Sequence, residues 1–131
     1  MGDELPPLRR TVTRGDVKAY ADAGGDHNPL HQDDEAARAA GFPAIVAHGM
    51  FTMGHLAACV SGWSGDPAAV LSLSASFRAP VFEGEEIEAG GRVVALDGAS
   101  RIATLETWVT LERDGETAWP IKRGEARVRL A

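Results

Sequence analysis

Cysteine is nearly absent from this 131-residue chain, in which Cys59 is the only one. A lone cysteine has no partner for an internal disulfide, so a reducing cytoplasm is the expected compartment. The chain also lacks any run of about 18 apolar residues, the length needed to cross a bilayer. Its first residues, MGDELPPLRR, have no apolar segment after a basic start. We therefore expect neither a signal peptide nor a membrane partner.

Basic residues are fewer than acidic ones, 13 against 19, which gives a net charge of -6 and an isoelectric point of about 5.1. A general nucleic-acid binder needs a basic face for phosphates, so this balance argues against one. Apolar residues make up 44% of the chain, enough for the core of a single domain over residues 1–131. A lone domain of this size buries limited surface, and dimerisation would relieve that limit.

The first half of the chain has helical patterns. After a short strand near residues 8–12, Thr13 is placed to cap a helix that ends at Gly24 or Gly25. Asp33 is placed to cap a second short helix that ends before Gly41. The segment GMFTMGHLAACVSGW, from Gly49 to Trp63, is apolar nearly all round and predicts a helix buried on most sides, with Gly54 indicating close packing.

The second half alternates with a period of two, as strands do. VLSLSASF has an apolar face formed by Leu71, Leu73, Ala75 and Phe77. The next strand, EEIEAGGRVVAL, contains Gly90 and Gly91, which suggest a bulge. RIATLETWVTLER follows, then an Asp114-Gly115 hairpin turn and a last strand whose Pro120 implies an edge or a bulge. Helices followed by long antiparallel strands predict an α+β domain, with a sheet wrapped round the buried helix.

Between the first two helices lies GDHNPLHQDD, where an acid, an amide and two imidazoles share a short loop. Asp26 and His31 are five positions apart with Pro29 between them, and such a carboxylate–imidazole pair can hold and activate a water. Asn28 adds a donor and an acceptor. The alternative is that Asp26 and Asn28 form Asx-turns and His31 is solvated.

The tetrapeptide AHGM opens the buried helix. Amides at a helix N-terminus lack backbone partners and carry the positive end of the dipole. Gly49 at this point would let a thioester carbonyl oxygen approach the backbone, which makes an oxyanion site. The alternative is an ordinary glycine beside a helix cap.

Together the two segments resemble the MaoC-like dehydratases, the (R)-specific enoyl-thioester hydratases with a hot-dog fold. The resemblance is strongest to the catalytic subunit type of the mycobacterial (3R)-hydroxyacyl-ACP dehydratase. It runs from Tyr20 to Gly54 and is looser beyond. One departure is at position 24, where many members have serine and this chain has glycine. The matching residues are Gly24, Gly25, Asp26, Asn28, Pro29, Leu30, His31, Asp33, His48, Gly49 and Met50.

The resemblance implies reversible hydration of a trans-2-enoyl thioester to a (3R)-3-hydroxyacyl thioester, carried by CoA or ACP. Asp26 and His31 would be catalytic, supported by Asn28 and by the backbone N–H of Gly49. His48 and Met50 would contribute to substrate binding, although His48 is also expected to bond within the fold. No cofactor is implied. The family also implies a homodimer, with a heterodimer as the alternative.

Other functions and sites stay open. A hot-dog thioesterase would hydrolyse the thioester, and a non-enzymatic partner subunit would only complete another chain's tunnel. Both Asp26 and His31 are present, which favours the hydratase. His27 and His31 with neighbouring acids could ligate a metal, but Pro29 disfavours the helix that such spacing needs, so we predict no metal.

Several further side chains carry expectations. His55, within the buried helix, is predicted to be a satisfied core histidine, and Cys59 an inert core thiol. Tyr20 and Trp63 are predicted to be core residues. An acidic carrier protein would need a local basic patch, for which the candidates are Arg78, Lys122 and Arg123.

Overall fold

The structure is a computed structural model that describes residues 2–24 and 33–130. In these residues it has three α-helices, one short 3₁₀ turn and five strands. In chain order they are β1 (Leu8–Thr11), α1 (Arg14–Gly24), α2 (Asp34–Ala39), α3 (Gly49–Ser64), the 3₁₀ turn (Pro67–Ala69), β2 (Val70–Ser74), β3 (Glu86–Asp97), β4 (Ile102–Arg113) and β5 (Glu116–Arg129).

The five strands form one antiparallel sheet in the order β1-β3-β4-β5-β2. Every second residue of β4 from Ala103 to Leu111 is buried, and α3 packs against that face. The core unites the central strands with α3 through side chains such as Leu56, Val60 and Leu105. The predicted α+β arrangement, a sheet curled around a helix, is confirmed. Burial of α3 on most sides is not, because one face of the helix, with Gly54, Ala58 and Gly62, is exposed.

The helix ends form where the sequence predicts them. At the start of α1, the Asp16 amide donates to Thr13 Oγ1 at 3.1 Å and the Thr13 amide donates to an Asp16 carboxylate oxygen at 3.1 Å. At the start of α2, the Glu35 amide donates to the Asp33 carboxylate at 2.9 Å. Gly41 follows α2 with a φ of 93°, a conformation that glycine adopts without strain.

The strand β5 carries two bulges against β4. Pairing runs from Leu111 with Ala118 to Val109 with Ile121, so two β5 residues, one of them Pro120, oppose a single β4 residue. The prediction of an edge or a bulge at Pro120 is confirmed as a bulge. The second irregularity lies between this pairing and the next one, Thr107 with Gly124.

Two glycine predictions are wrong. The register of β3 is unbroken across Gly90 and Gly91, and its shift lies between Val93 and Ala95 instead. A close contact, and not a bulge, explains the glycine at position 90. A Cβ there would lie 2.5 Å from Nε1 of Trp108, whose indole packs over Gly90. Gly54 is not closely packed, since a Cβ there would meet no described atom within 4 Å beyond its own helix.

The predicted strand VLSLSASF is only partly regular. β2 ends at Ser74, and Phe77 forms an isolated bridge with Ile121. A register shift between Val70 and Ser72 takes Leu71 off the predicted apolar face, and it is exposed. Phe77, beyond the end of β2, is exposed as well. Leu73 packs against the core as predicted.

The two core predictions within α3 are confirmed. His55 is buried and its Nε2 lies 2.7 Å from the Leu8 carbonyl oxygen. Cys59 is buried too, and burial raises the pKa of its thiol, which disfavours the reactive thiolate. None of the helices in the described part of the chain has the length and apolarity needed to cross a bilayer.

Candidate functional site

The N-terminus of α3 is the centre of the candidate site. His48 is its N-cap residue in an extended conformation, and Gly49 is the first helical residue. The amide of Gly49 belongs to the turn whose N–H groups have no carbonyl four residues earlier within the helix. This backbone donor therefore sits at the positive end of a helix of 16 residues.

His48 is buried, with 3% of its surface exposed, and lies against α1. Its ring centroid is 4.9 Å from that of Tyr20, which in turn meets the ring of Phe51 edge-on at 6.1 Å. The helix that leads into the segment 25–32 is thereby packed against the start of α3. The half-buried Tyr20 is a contact between two helices rather than a residue of the main core.

Gly49 faces the ring of Phe77. A Cβ added at Gly49 would lie 3.2 Å from the nearest ring atom, which is tighter than ordinary contact. The two residues border a cavity of about 420 Å³ between the start of α3 and the edge of the sheet, which we call the Gly49 cavity. Its other walls are Val46, Ala47, Thr52, Arg78, Ala79, Pro80, Val81 and Pro120.

A second cavity of about 420 Å³ opens on another side of α3, beneath β1. Phe51, Gly54 and Ala58 form its helical wall, and Tyr20 borders it from α1. At its rim the Arg10 guanidinium lies 5.6 Å above the Phe51 ring. The walls are mostly apolar, so each side of the helix start offers space for an apolar group.

Arg14 holds the beginning of α2 in place. Its guanidinium lies 2.8 Å from a carboxylate oxygen of Asp34 and 2.8 Å from one of Glu83. Hydrogen bonds to Glu83 first and Asp34 second raise the pKa of Arg14 above its ordinary value. The helices on either side of the segment 25–32 are thus joined by an ion pair.

The predicted catalytic residues Asp26, Asn28 and His31 lie outside the described residues, as does His27. The side chain of Met50 is also outside the described part. Gly49 and His48 are described and lie where the helix begins, as predicted. No cluster of three or more His, Cys, Asp or Glu side chains that could hold a metal occurs in residues 2–24 and 33–130.

Phe77 borders the candidate site, and the sequence does not predict this. Its alternation with serines placed it on the apolar face of a strand, and nothing in the sequence links position 77 to position 49. Phe77 and Gly49 come into contact because the chain after β2 runs beside β5, where Phe77 forms a bridge with Ile121.

The sequence of this chain is similar to those of known proteins. The family profile described as "MaoC like domain" matches residues 2–113. The mitochondrial 3-hydroxyacyl-[acyl-carrier-protein] dehydratase of Arabidopsis thaliana is 41% identical over 97 residues, which cover 73% of this chain and 57% of that protein. The (R)-specific enoyl-CoA hydratase of Aeromonas caviae is 38% identical over 105 residues, or 76% of this chain and 75% of that one.

Solved structures agree with the sequence relatives. The (R)-hydratase from Aeromonas caviae superposes with a TM-score of 0.87 at 30% identity, covering 99% of this chain and 96% of that chain. A MaoC-like dehydratase also gives 0.87, at 39% identity, over all of this chain and 40% of that one. The hot-dog fold expected from the sequence is confirmed, and this chain belongs to the MaoC-like domain family.

Proposed function

We propose that the protein catalyses the reversible addition of water to a trans-2-enoyl thioester, giving a (3R)-3-hydroxyacyl thioester. The observation that carries the proposal is the start of α3, where the Gly49 amide borders a cavity and His48 packs against Tyr20 of the helix that leads into Asp26–His31. The names of the relatives, dehydratases and (R)-specific enoyl-CoA hydratases, support the same chemistry.

In this proposal the thioester carbonyl oxygen lies against the Gly49 amide. Negative charge develops on that oxygen as the conjugated thioester reacts, and a fixed N–H donor at a helix N-terminus stabilises it. Phe77 and Pro80 supply apolar walls to the cavity beside this oxygen, and a bound acyl chain would displace water from them. Exclusion of water strengthens the hydrogen bond, because the local dielectric is lower than in solution.

The water is held and activated by Asp26 and His31. In hydration its oxygen forms the bond to C3 while a proton is delivered to C2. In dehydration the C2 proton is removed and the C3 hydroxyl leaves as water. The two groups share one water, so their protons belong to a coupled pair. Asn28 orients the pair or the water through its amide.

An assay with crotonyl-CoA tests the proposal. Hydration lowers the enoyl absorbance without releasing free thiol, whereas a thioesterase releases thiol and a non-enzymatic subunit does neither. Asp26→Asn should lower kcat by roughly 10²-fold or more, the usual contribution of a general acid–base group. The matched control is Asp22→Asn, an exposed acid on α1, which should keep wild-type turnover. Near-normal turnover of the Asp26 variant would refute the assignment.

A further inference from the structure

A third cavity, of about 260 Å³, lies on the face of the sheet opposite α3. We call it the outer cavity. Two indoles border it, Trp108 from β4 and Trp119 from β5, and Trp119 is 37% exposed. Its charged side chains are Glu4, Arg92, Glu106, Lys122 and Arg123. Three of the lining residues belong to β5, namely Trp119, Lys122 and Arg123. They lie beyond Arg113, where the match to the family profile ends.

The bulges of β5 bring its side chains to this cavity. Because Thr107 pairs with Gly124 and Val109 with Ile121, two residues, Lys122 and Arg123, oppose the single residue Trp108. Arg123 has a φ of 58°, in the left-handed region that a long side chain rarely adopts. Backbone strain of this kind costs free energy and is concentrated at ligand sites, and bulges re-aim side chains.

The outer cavity is locally basic in an acidic protein. Arg92, Lys122 and Arg123 outnumber the two acids, so the local charge is +1 where the whole chain carries -6. Arg92 lies 3.4 Å from Glu106, which offsets one cation. Among the described residues, neither Lys122 nor Arg123 forms an ion pair. Lys122 instead lies 5.5 Å from the centre of the Trp119 ring.

Indoles and uncompensated cations together suit one chemical class. A planar heteroaromatic ring stacks on an exposed indole, and arginine and lysine bind phosphate oxygens through charge-assisted hydrogen bonds. A nucleotide presents both groups at once. An acidic protein helix would match the cations, but it has no planar ring for Trp108 and Trp119.

The outer cavity adjoins the Gly49 cavity across one strand. Pro120 lines the Gly49 cavity, Trp119 and Lys122 line the outer one, and the Pro120 carbonyl accepts from the Arg78 amide at 2.9 Å. Neighbouring strand residues are about 3.3 Å apart. A pantetheine arm is about as long as four to five extended residues, roughly 15 Å, and is long enough to round this sheet edge.

We propose that the outer cavity binds the adenosine 3′-phosphate 5′-diphosphate end of coenzyme A while the thioester lies at Gly49. The adenine stacks on Trp119, and Lys122 and Arg123 bind phosphates. This inference rests on the proposed function and specifies its carrier as CoA rather than a carrier protein.

Direct binding tests the site without any turnover. Isothermal titration calorimetry with adenosine 3′,5′-bisphosphate should detect binding to the wild type. Lys122→Gln/Arg123→Gln and Trp119→Leu should each weaken it by about tenfold or more, the scale of a hydrogen bond to a charged group. Arg127→Gln, an exposed β5 residue outside the cavity, is the matched control and should bind normally. No binding, or equal binding by all variants, overturns the proposal.

Steady-state kinetics test whether the nucleotide bound in the outer cavity belongs to the same coenzyme A molecule that carries the reacting thioester. With crotonyl-CoA, the double charge variant should raise KM about tenfold at unchanged kcat, whereas crotonyl-pantetheine, which lacks the nucleotide, should show no change. A KM increase with both substrates would mean damage to the fold and would refute nucleotide recognition. If neither substrate is hydrated but the bisphosphate binds as described, the hydratase assignment fails and the nucleotide site stands.

Two further results would assign the cavity to another ligand. ATP binding more tightly than adenosine 3′,5′-bisphosphate would indicate a free-nucleotide site and overturn the CoA assignment. A lower KM for crotonyl-ACP than for crotonyl-CoA, raised by the same double variant, would indicate a carrier-protein surface and overturn it too. Thermal melts identify folded variants, and Lys122 and Arg123 are exposed, so their replacement leaves the core untouched.

Discussion

Two explanations compete for the glycine at position 49. A side chain there would crowd a carbonyl oxygen bound to the helix start, and it would also press on the ring of Phe77 at 3.2 Å. Phe77 is 48% exposed, so its ring can move aside without unfolding the core. Mutation of both residues therefore separates catalysis from packing.

Gly49→Val should lower kcat by roughly 10²-fold, the effect of losing one oxyanion donor, while the melting temperature stays near the wild-type value. The double variant Gly49→Val/Phe77→Ala should be as slow as the single one, because removal of the ring leaves the valine over the carbonyl position. Steady-state kinetics with crotonyl-CoA measure both. Recovery of turnover in the double variant would show that the ring, and not the thioester, requires the glycine.

Asp16 links the stability of α1 to pH. A hydrogen bond from Arg10, followed by one from the Thr13 amide, lowers the pKa of this carboxyl. Its contribution is therefore present above the unfolded-state pKa, near 4, and is lost as pH falls through the lower folded-state pKa. Asp16→Asn should destabilise the fold by about 1 kcal/mol at pH 7, as loss of a helix cap does.

Urea denaturation at several pH values measures this difference. It should shrink as the pH falls below about 4 and toward the lowered pKa of the folded-state carboxyl, because protonation removes the ionic interaction. Asp22→Asn, on the exposed side of the same helix, is the control. A difference between Asp16→Asn and the wild type that is equal at pH 7 and pH 3 would contradict the ionic explanation.

At the level of the elements, one interior glycine of α3 and one of β3 behave oppositely. Gly54 lines an open cavity, and a methyl group there would meet no atom of the described residues within 4 Å beyond its own helix. Gly90 lies under the Trp108 indole, where a Cβ would be 2.5 Å from Nε1.

Gly54→Ala should stabilise the protein by about 0.5–1 kcal/mol, since alanine favours the helix and restricts the unfolded chain. Gly90→Ala should destabilise it by about 1–3 kcal/mol through overpacking. Differential scanning calorimetry should show melting temperatures that move in opposite directions. A lower melting temperature for Gly54→Ala would show that the cavity beside α3 is filled in solution.

The sequence predicts helix ends better than glycine roles, for a physical reason. Caps such as Thr13 with Asp16, and Asp33 with Glu35, are made between residues two or three apart, so the local sequence contains both partners. The reason for Gly90 is a tryptophan on the next strand, and the reason for Gly49 involves Phe77. Such contacts depend on register and on the path of the chain, which periodicity does not specify.

The whole molecule exposes apolar side chains along one edge. β2 ends the sheet on the side of β5, and Leu71 and Phe77 near it are 40% and 48% exposed. An unpaired edge with apolar residues favours pairing with another chain. We propose that two copies of this protein join along β2, at Val70–Ser74, which would place an interface beside the Gly49 cavity and leave the edge at Arg78–Pro80 open to the coenzyme.

Light scattering after size exclusion should give a dimer at micromolar concentration. Leu71→Lys should shift it toward monomer and lower activity, because the partner chain would no longer support the side of the Gly49 cavity next to β2. Leu96→Lys, at a 50% exposed site on β3, is the control and should remain dimeric. A fully active wild-type monomer would contradict the proposal.

The strand order also determines when the site can be completed during synthesis. β3, β4 and β5 are joined by short turns, whereas Leu8 pairs with Ala89 and Val70 with Val128. Closing long loops costs more entropy than closing short ones, so we expect the meander of the last three strands to nucleate the sheet. Pro120, a wall of the Gly49 cavity, belongs to its final strand. On the ribosome, the segment from Asp26 to His31 therefore emerges long before the Gly49 cavity is complete, and we expect a nascent chain to gain the proposed activity only when β5 has left the exit tunnel.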